Sequence, residues 1–449
     1  MTTEIAIMNK EAVALAADSA VTTGKGEGKV FHSAQKLFSL GRHHPVGIMV
    51  YQNAEFMGVP WETVIEIYRD KVLRQRSLRT LKAYANSFIR FLNNANNSFK
   101  DLFSESEQEE YFNLIISRHF GTIRDWIIHL AGKVIAKSQD ITDKEIRTMT
   151  EKAMHTVLNY HSDYLKNDKK YQSIADNYLK DVERRYGNVI KEAENRIFEK
   201  LPISPALKET VNRIAINSFA RHYLSPGAIW AETGNYSGVV IAGFGGDDKF
   251  PSLESYQVGG ILGDRLICLK DWYYRRQNVI SSANKGRIFP FAQEKEIQTF
   301  LTGIYPAFET EVVNYFERKV KNLCKDIIDK VGSISDKERQ TLQEQTNKKI
   351  DKAKDDYQSH IWHLGFGRSM PIEFDVVPVL PKAELASMAE TLASLASFKR
   401  RVSPGRETVG GPIDVAVISK ADGFVWVNKK RYFNPDINPD YMEADNAKR

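Results

Sequence analysis

MTTEIAIMNKEAVALAADSAVT, residues 1–22, decides how the rest of the chain is read. Alternation begins at once. Glu4, Ala6 and Met8 point one way and Ile5 and Ile7 the other, the period of a half-buried strand. Asn9-Lys10-Glu11 breaks the pattern, and a second apolar run from Ala12 to Ala17 ends at Asp18-Ser19. Chain ends are usually loose. Two strands this close to the first residue predict a hairpin that holds the N-terminus rigidly.

At 449 residues, two or three domains and a large core are expected. A net charge of +6, with acids and bases interleaved, is too mild and too mixed for a nucleic-acid partner. Cys268 and Cys324 stand far apart, with no Cys or His at metal spacing. They read as packing residues of a reducing compartment, and neither a metal nor a cofactor is expected. No apolar stretch approaches the ~18–20 residues of a membrane span. The start has no basic segment followed by an apolar one, so a cytoplasmic protein with no membrane partner is expected.

The character of the chain switches several times. Residues 1–79 read as strands closed by an amphipathic helix around Trp61, Val64, Ile65 and Tyr68. Residues 80–223 carry apolar residues at i, i+3 and i+4, with capping signals at Ser104-Glu-Ser-Glu and Thr142-Asp-Lys-Glu. Strands return over 224–308, notably in YSGVVIAGFGGDD (236–248), before a segment from Phe291 to Phe308 that looks helical. A charged helical hairpin follows over 309–365. The last part, 366–449, holds a helix from Pro381 to Lys399 and two strands joined by Lys420-Ala-Asp-Gly. One α+β core interrupted by two helical insertions explains this order better than a string of separate domains.

A purpose for the first hairpin follows from Thr2. Removal of Met1 before a small residue would expose a threonine α-amine, and such a residue carries nucleophile and base together. An α-amine has a reference pKa of about 7.7–8.0, so a neutral fraction exists near pH 7. Asp18 lies sixteen residues after Thr2, and SAQKLFSL supplies Lys36 eighteen further on. These residues resemble the proteasome β-subunit family, its bacterial heat-shock peptidase relatives in particular. In that family a Lys follows the Asp after about sixteen residues, and VTTGKGEGKV has room for the difference. Later segments resemble the family in order: PVGIMVYQNAEF, WETVIEIYRDKV, SGVVIAGFGGDD, LPKAELASMAETLASLA and VGGPIDVAVISKADGFVWV. Together they span roughly half of the chain.

The resemblance implies a four-layer α-β-β-α sandwich of the N-terminal-nucleophile hydrolase type. It implies Thr2 as nucleophile with its own amine as base, Lys36 as the positive charge near the hydroxyl, and Asp18 as the residue that holds Lys36. Backbone N–H groups of Tyr51 and Gln52 would form the oxyanion hole, and Glu407 and Thr408 would be supporting residues. A peptide or protein substrate, a homo-oligomer and a regulatory partner are implied as well. This chain departs from the family at Met49-Val-Tyr-Gln-Asn, where a Gly-rich turn is common. It departs again before Gly410-Gly411, and at Ser281 and Ser282, weak matches to the family's mid-chain serine.

Plainer readings stand beside these. Asp18 could cap a turn and Lys36 could be a charge on a sheet edge. His360 and His363 share a helical face but lack an acidic or Cys partner, so an ordinary pair is expected. GKGEGK (24–29) lacks the spacing of a phosphate loop and reads as a turn. The chain as a whole could be a catalytically silent, proteasome-like assembly or binding module, or an amidase acting on a small molecule.

Overall fold

The computed structural model describes residues 3–23, 29–32, 34–41, 43–74, 76–93, 103–136, 141–167, 176–220, 236–263, 265–270, 278–332, 335–403 and 410–438. Among these the protein is α+β with antiparallel sheets. In chain order the strands are β1 Glu4–Asn9, β2 Ala12–Ala17, β3 Val21–Thr23, β4 Lys29–Phe31, β5 Leu37–Ser39, β6 Val46–Tyr51, β7 Glu55–Phe56, β8 Val59–Pro60, β9 Ser237–Gly243, β10 Ser252–Leu262, β11 Arg265–Lys270, β12 Gly286–Phe291, β13 Asp414–Ser419 and β14 Gly423–Asn428. The helices are α1 Trp61–Ile67, α2 Leu81–Asn93, α3 Glu105–Ile135, α4 Asp143–Asn167, α5 Asp176–Phe198, α6 Pro205–Ala220, α7 Glu294–Thr302, α8 Pro306–Asp329, α9 Asp336–Pro371 and α10 Lys382–Val402.

The chain divides into two compact units. The first comprises 1–49, 242–253 and 277–449, and the second comprises 50–241 and 254–276. One sheet has the order β12-β1-β2-β13-β14 and lies in the first unit. A second sheet has the order β11-β10-β9-β6-β5, and the division between the units runs through its strands.

In the first unit the hairpin β1–β2 is paired from Glu4↔Ala17 to Met8↔Val13. Asn9 closes it: its Oδ1 accepts from the amides of Glu11 at 2.9 Å and Ala12 at 3.2 Å. That side-chain turn is why a single polar break reverses the chain. The half-buried reading of this hairpin is corrected by the structure, because all six residues of each strand are buried. Both faces are covered. On one, α10 lays Leu385, Ala389, Leu392 and Ala393 against Ile5, Ile7, Ala14 and Ala16. Alanine on both elements lets helix and sheet approach closely. On the other, Gly47 of β6 comes so near that a Cβ there would meet Phe424, Ile418 and Leu15 at 2.9, 3.0 and 3.1 Å. The first unit also holds α8 and α9, an antiparallel pair tied by Lys321 of α8 to Asp351 of α9 at 2.9 Å and by Lys354 of α9 to Glu317 of α8 at 2.6 Å. Ser335 and Glu338 form a capping box at the start of α9.

The second unit is built around α3–α6. Phe112, Ile116, Phe120 and Ile123 of α3 pack with Met154 and Leu158 of α4, Val182 and Ile190 of α5, and Val211 and Ile214 of α6. Ser104 and Glu107 cap α3 reciprocally, and Thr142 and Glu145 do the same before α4. Leu262 and Leu269 of the β10–β11 hairpin join this core. A separate aromatic cluster surrounds Trp61, whose indole N–H donates to Ser237 Oγ at 2.8 Å.

Candidate active site

The site is assembled by the ends of three strands. Thr3 immediately precedes β1, Asp18 immediately follows β2, and Lys36 immediately precedes β5. The β1–β2 ladder continues past its last paired strand residues: the Asp18 amide donates to the Thr3 carbonyl at 3.1 Å. The pairing sets the Asp18 carboxylate beside the Thr3 amide.

Asp18 is fully buried and Lys36 is only 5% exposed, so any charge here needs a partner. Lys36 Nζ donates to Asp18 Oδ1 at 2.6 Å. The Thr3 amide donates to the same oxygen at 3.1 Å. Asp18 Oδ2 accepts from the Gly410 amide at 3.0 Å. Three donors from three distant parts of the sequence therefore fix one carboxylate. Charge-assisted bonds of this kind are short and strong. Glu4 adds a second carboxylate, its Oε1 at 3.7 Å from Lys36 Nζ.

The segment after Gly410 is clamped too. Ser19 Oγ donates to the Pro412 carbonyl at 2.6 Å. Gly411 has φ +80 and lies so close to Ser19 and His32 that no side chain fits there. Three residues on, Asp414 is buried and accepts from both the amide and the Nζ of Lys430, at 2.8 and 2.6 Å. That pair anchors the chain after β14.

Thr2, Glu407 and Thr408 lie outside the described residues. Tyr51 is the last residue of β6 and is buried, and Gln52 follows with φ +77. That conformation favours glycine, and here a glutamine adopts it. Ser281 serves a local turn, its Oγ accepting from the Asn284 amide at 3.0 Å, and Ser282 is exposed. His360 and His363 are exposed on α9, where His363 Nδ1 lies 2.6 Å from the Ser359 carbonyl. Among the described residues no group of three or more His, Cys, Asp or Glu side chains could hold a metal. Of GKGEGK only Lys29 is described, and it begins β4.

Three participants were missed from sequence. The Thr3 amide and the Gly410 amide act through the backbone, and residue type carries no signal for that. Glu4 did carry one: it is a carboxylate at a position that the strand period gives to the apolar Ala6 and Met8. Chemically, the cluster offers an ammonium held at a fixed point by a carboxylate that also grips the amide adjoining Thr2. No helix among the described residues is long and apolar enough to cross a membrane. The sequence matches no family model and no curated protein.

Proposed function

We propose that this chain is a proteasome-like threonine-type hydrolase of peptide or amide bonds, with Thr2 the nucleophile once Met1 is removed. The observation that carries the reading is the buried Asp18–Lys36 pair at 2.6 Å, joined on the same carboxylate oxygen by the Thr3 amide. A solvated edge lysine would have no need of a fully buried carboxylate, and a turn-capping aspartate would have no need of a lysine.

In the proposed reaction the neutral α-amine of Thr2 takes the proton from its own hydroxyl, and the oxygen attacks the amide carbonyl carbon. The Lys36 ammonium favours the developing alkoxide. Backbone N–H groups at Tyr51 and Gln52 would receive the negative charge on the carbonyl oxygen. The proton on the α-amine passes to the departing amine as the C–N bond breaks, leaving an ester on Thr2. Water, deprotonated by the same amine, then cleaves the ester and restores the hydroxyl. We assign the four-layer α-β-β-α sandwich as the fold that serves this chemistry. In its support, α10 covers one face of the first sheet and Gly47 of β6 lies against the other. We further propose a homo-oligomer as the working form.

The test is intact mass before and after exposure to a peptide epoxyketone and to a β-lactone. The epoxyketone requires the free amine and hydroxyl together, and the lactone requires the activated hydroxyl. The expected result is a mature protein that lacks Met1, takes up one equivalent of each reagent, and loses both adducts on Thr2→Ala. A protein lacking Met1 that takes up neither reagent and cleaves no peptide would instead be the silent assembly or binding module.

A further inference from the structure

Glu4 is the first residue of β1, paired with Ala17 on one side and Phe291 on the other. Ile5 and Ile7 belong to the cluster under α10, so by alternation Glu4, Ala6 and Met8 face the other way. That face receives apolar residues elsewhere, yet here it receives a carboxylate with 0% exposure. A buried carboxylate is retained only where a cation or donors compensate for lost water. Lys36 Nζ lies 3.7 Å from Glu4 Oε1.

A lysine ammonium is a point charge on a flexible four-carbon stem. One carboxylate fixes its distance from a single point and leaves its direction free. A second carboxylate on a different strand end narrows the directions left to it. Asp18 is itself immobilised by the Thr3 and Gly410 amides, and Glu4 sits one residue beyond Thr3 on the strand. The same few residues that begin the chain thus govern Lys36 from two sides.

We propose that Glu4 is a positioning residue: a second buried carboxylate that, with Asp18, holds the Lys36 ammonium in its place. Its consequence for rate rests on the threonine-hydrolase reading. A misplacement of about 1 Å near reacting groups can cost on the order of 100-fold in rate, and that is the fall expected for Glu4→Gln.

The experiment uses the full chain in four forms: wild type, Glu4→Gln, Lys36→Met and the double variant. Acylation by the β-lactone is timed by intact mass, and the unfolding equilibrium is measured in urea. Glu4→Gln should acylate far more slowly than wild type. The two substitutions should be non-additive in unfolding, by clearly more than the roughly twofold in equilibrium constant seen for independent sites. A Glu4→Gln protein that acylates at the wild-type rate, or unfolding effects that simply add, overturns the proposal. If wild type takes up no lactone while the unfolding effects are non-additive, Glu4 does hold Lys36 and it is the hydrolase reading that fails. Should Glu4→Gln not fold, Glu4→Met, of similar length and without charge, takes its place in the cycle.

Discussion

His119 of α3 meets His161 of α4 edge to face, with ring centroids 5.6 Å apart and planes at 89°. Each is 1% exposed, and Trp126 and Tyr160 complete the aromatic surround of His161. Burial, and secondly the charge His161 would carry, holds the His119 pKa down to about 3. Burial holds that of His161 down to about 4. Both values lie below the unfolded value of 6.5. The unfolded chain therefore binds these protons first as pH falls. The stability that neutral histidines confer is whole above about 6.5, and it drains as pH drops through about 4 and then about 3. Each tenfold difference in proton affinity is worth about 1.4 kcal/mol, so the second unit should be the acid-labile part. Urea midpoints taken from neutrality down to pH ~4 should fall steeply for wild type and less steeply for His161→Phe. Equal slopes would count against the pair as the cause.

Gly411→Ala should disturb the site without touching a charge. The residue has φ +80, and its Cβ would meet Ser19 Oγ at 2.7 Å and His32 Cβ at 2.8 Å. Backbone in that region costs a non-glycine residue about 1–3 kcal/mol, and the clash also pushes on the neighbouring Gly410 amide. Lower stability with slower lactone acylation is expected in urea unfolding and mass measurements. An alanine variant equal to wild type in both would mean that this loop does not brace Asp18.

The α8–α9 hairpin should be insensitive to loss of its most conspicuous ion pairs. Side-chain bonds from Lys321 and Lys354 hold the Glu317 carboxyl down to about 2. Its contribution is thus present above the ordinary carboxylate range and fades only as pH falls through about 2. The partners are only partly shielded from water, the Glu317 and Lys321 side chains being 19% and 33% exposed, and pairs that water reaches contribute little. Glu317→Gln should leave the urea midpoint close to that of wild type near neutral pH. A large drop would show that this network, rather than apolar contact, joins the two helices.

What could be read from the sequence was local. Alternation from Glu4 to Met8 and the Asn9 break mark a hairpin because strand period and side-chain turns depend on neighbours a few residues apart. Ser104 with Glu107, and Thr142 with Glu145, mark helix starts for the same reason. That both faces of β1 and β2 are covered was not legible, since Ala14 owes its cover to α10 and Leu15 to Gly47 and β14, hundreds of residues or a whole sheet away. The carboxylate at Asp18 could be paired with Lys36 only through a family's spacing. Its bond to Gly410, 392 residues distant, had no sequence signal. Helix ends also moved: α9 runs on through Pro371 into a wide turn at Ile372–Val376, where proline would ordinarily be read as a stop.

Asp18→Asn is the substitution to which the site should be most sensitive, although it keeps the side chain's shape. Both Asp18 oxygens accept: Oδ1 takes the Lys36 ammonium and the Thr3 amide, and Oδ2 takes the Gly410 amide. Asparagine has one acceptor oxygen, and its NH2 group only donates. In either orientation the NH2 faces a donor, and Lys36 loses the negative charge it is bonded to. Removing one partner of a buried pair costs about 3–5 kcal/mol, more than for a pair that water still reaches, such as Glu317 with Lys321. The urea midpoint of Asp18→Asn should therefore fall well below that of Glu317→Gln, and acylation by the lactone should be lost under conditions where the variant is still folded. Lys36→Met in the Asp18→Asn background should recover part of the stability, because it removes the ammonium left without Asp18, but none of the acylation. If Asp18→Asn matched Glu317→Gln in stability, Asp18 would not be the structural anchor of Lys36. If it were unstable yet acylated at the wild-type rate, the pair would serve the fold alone and not Thr2.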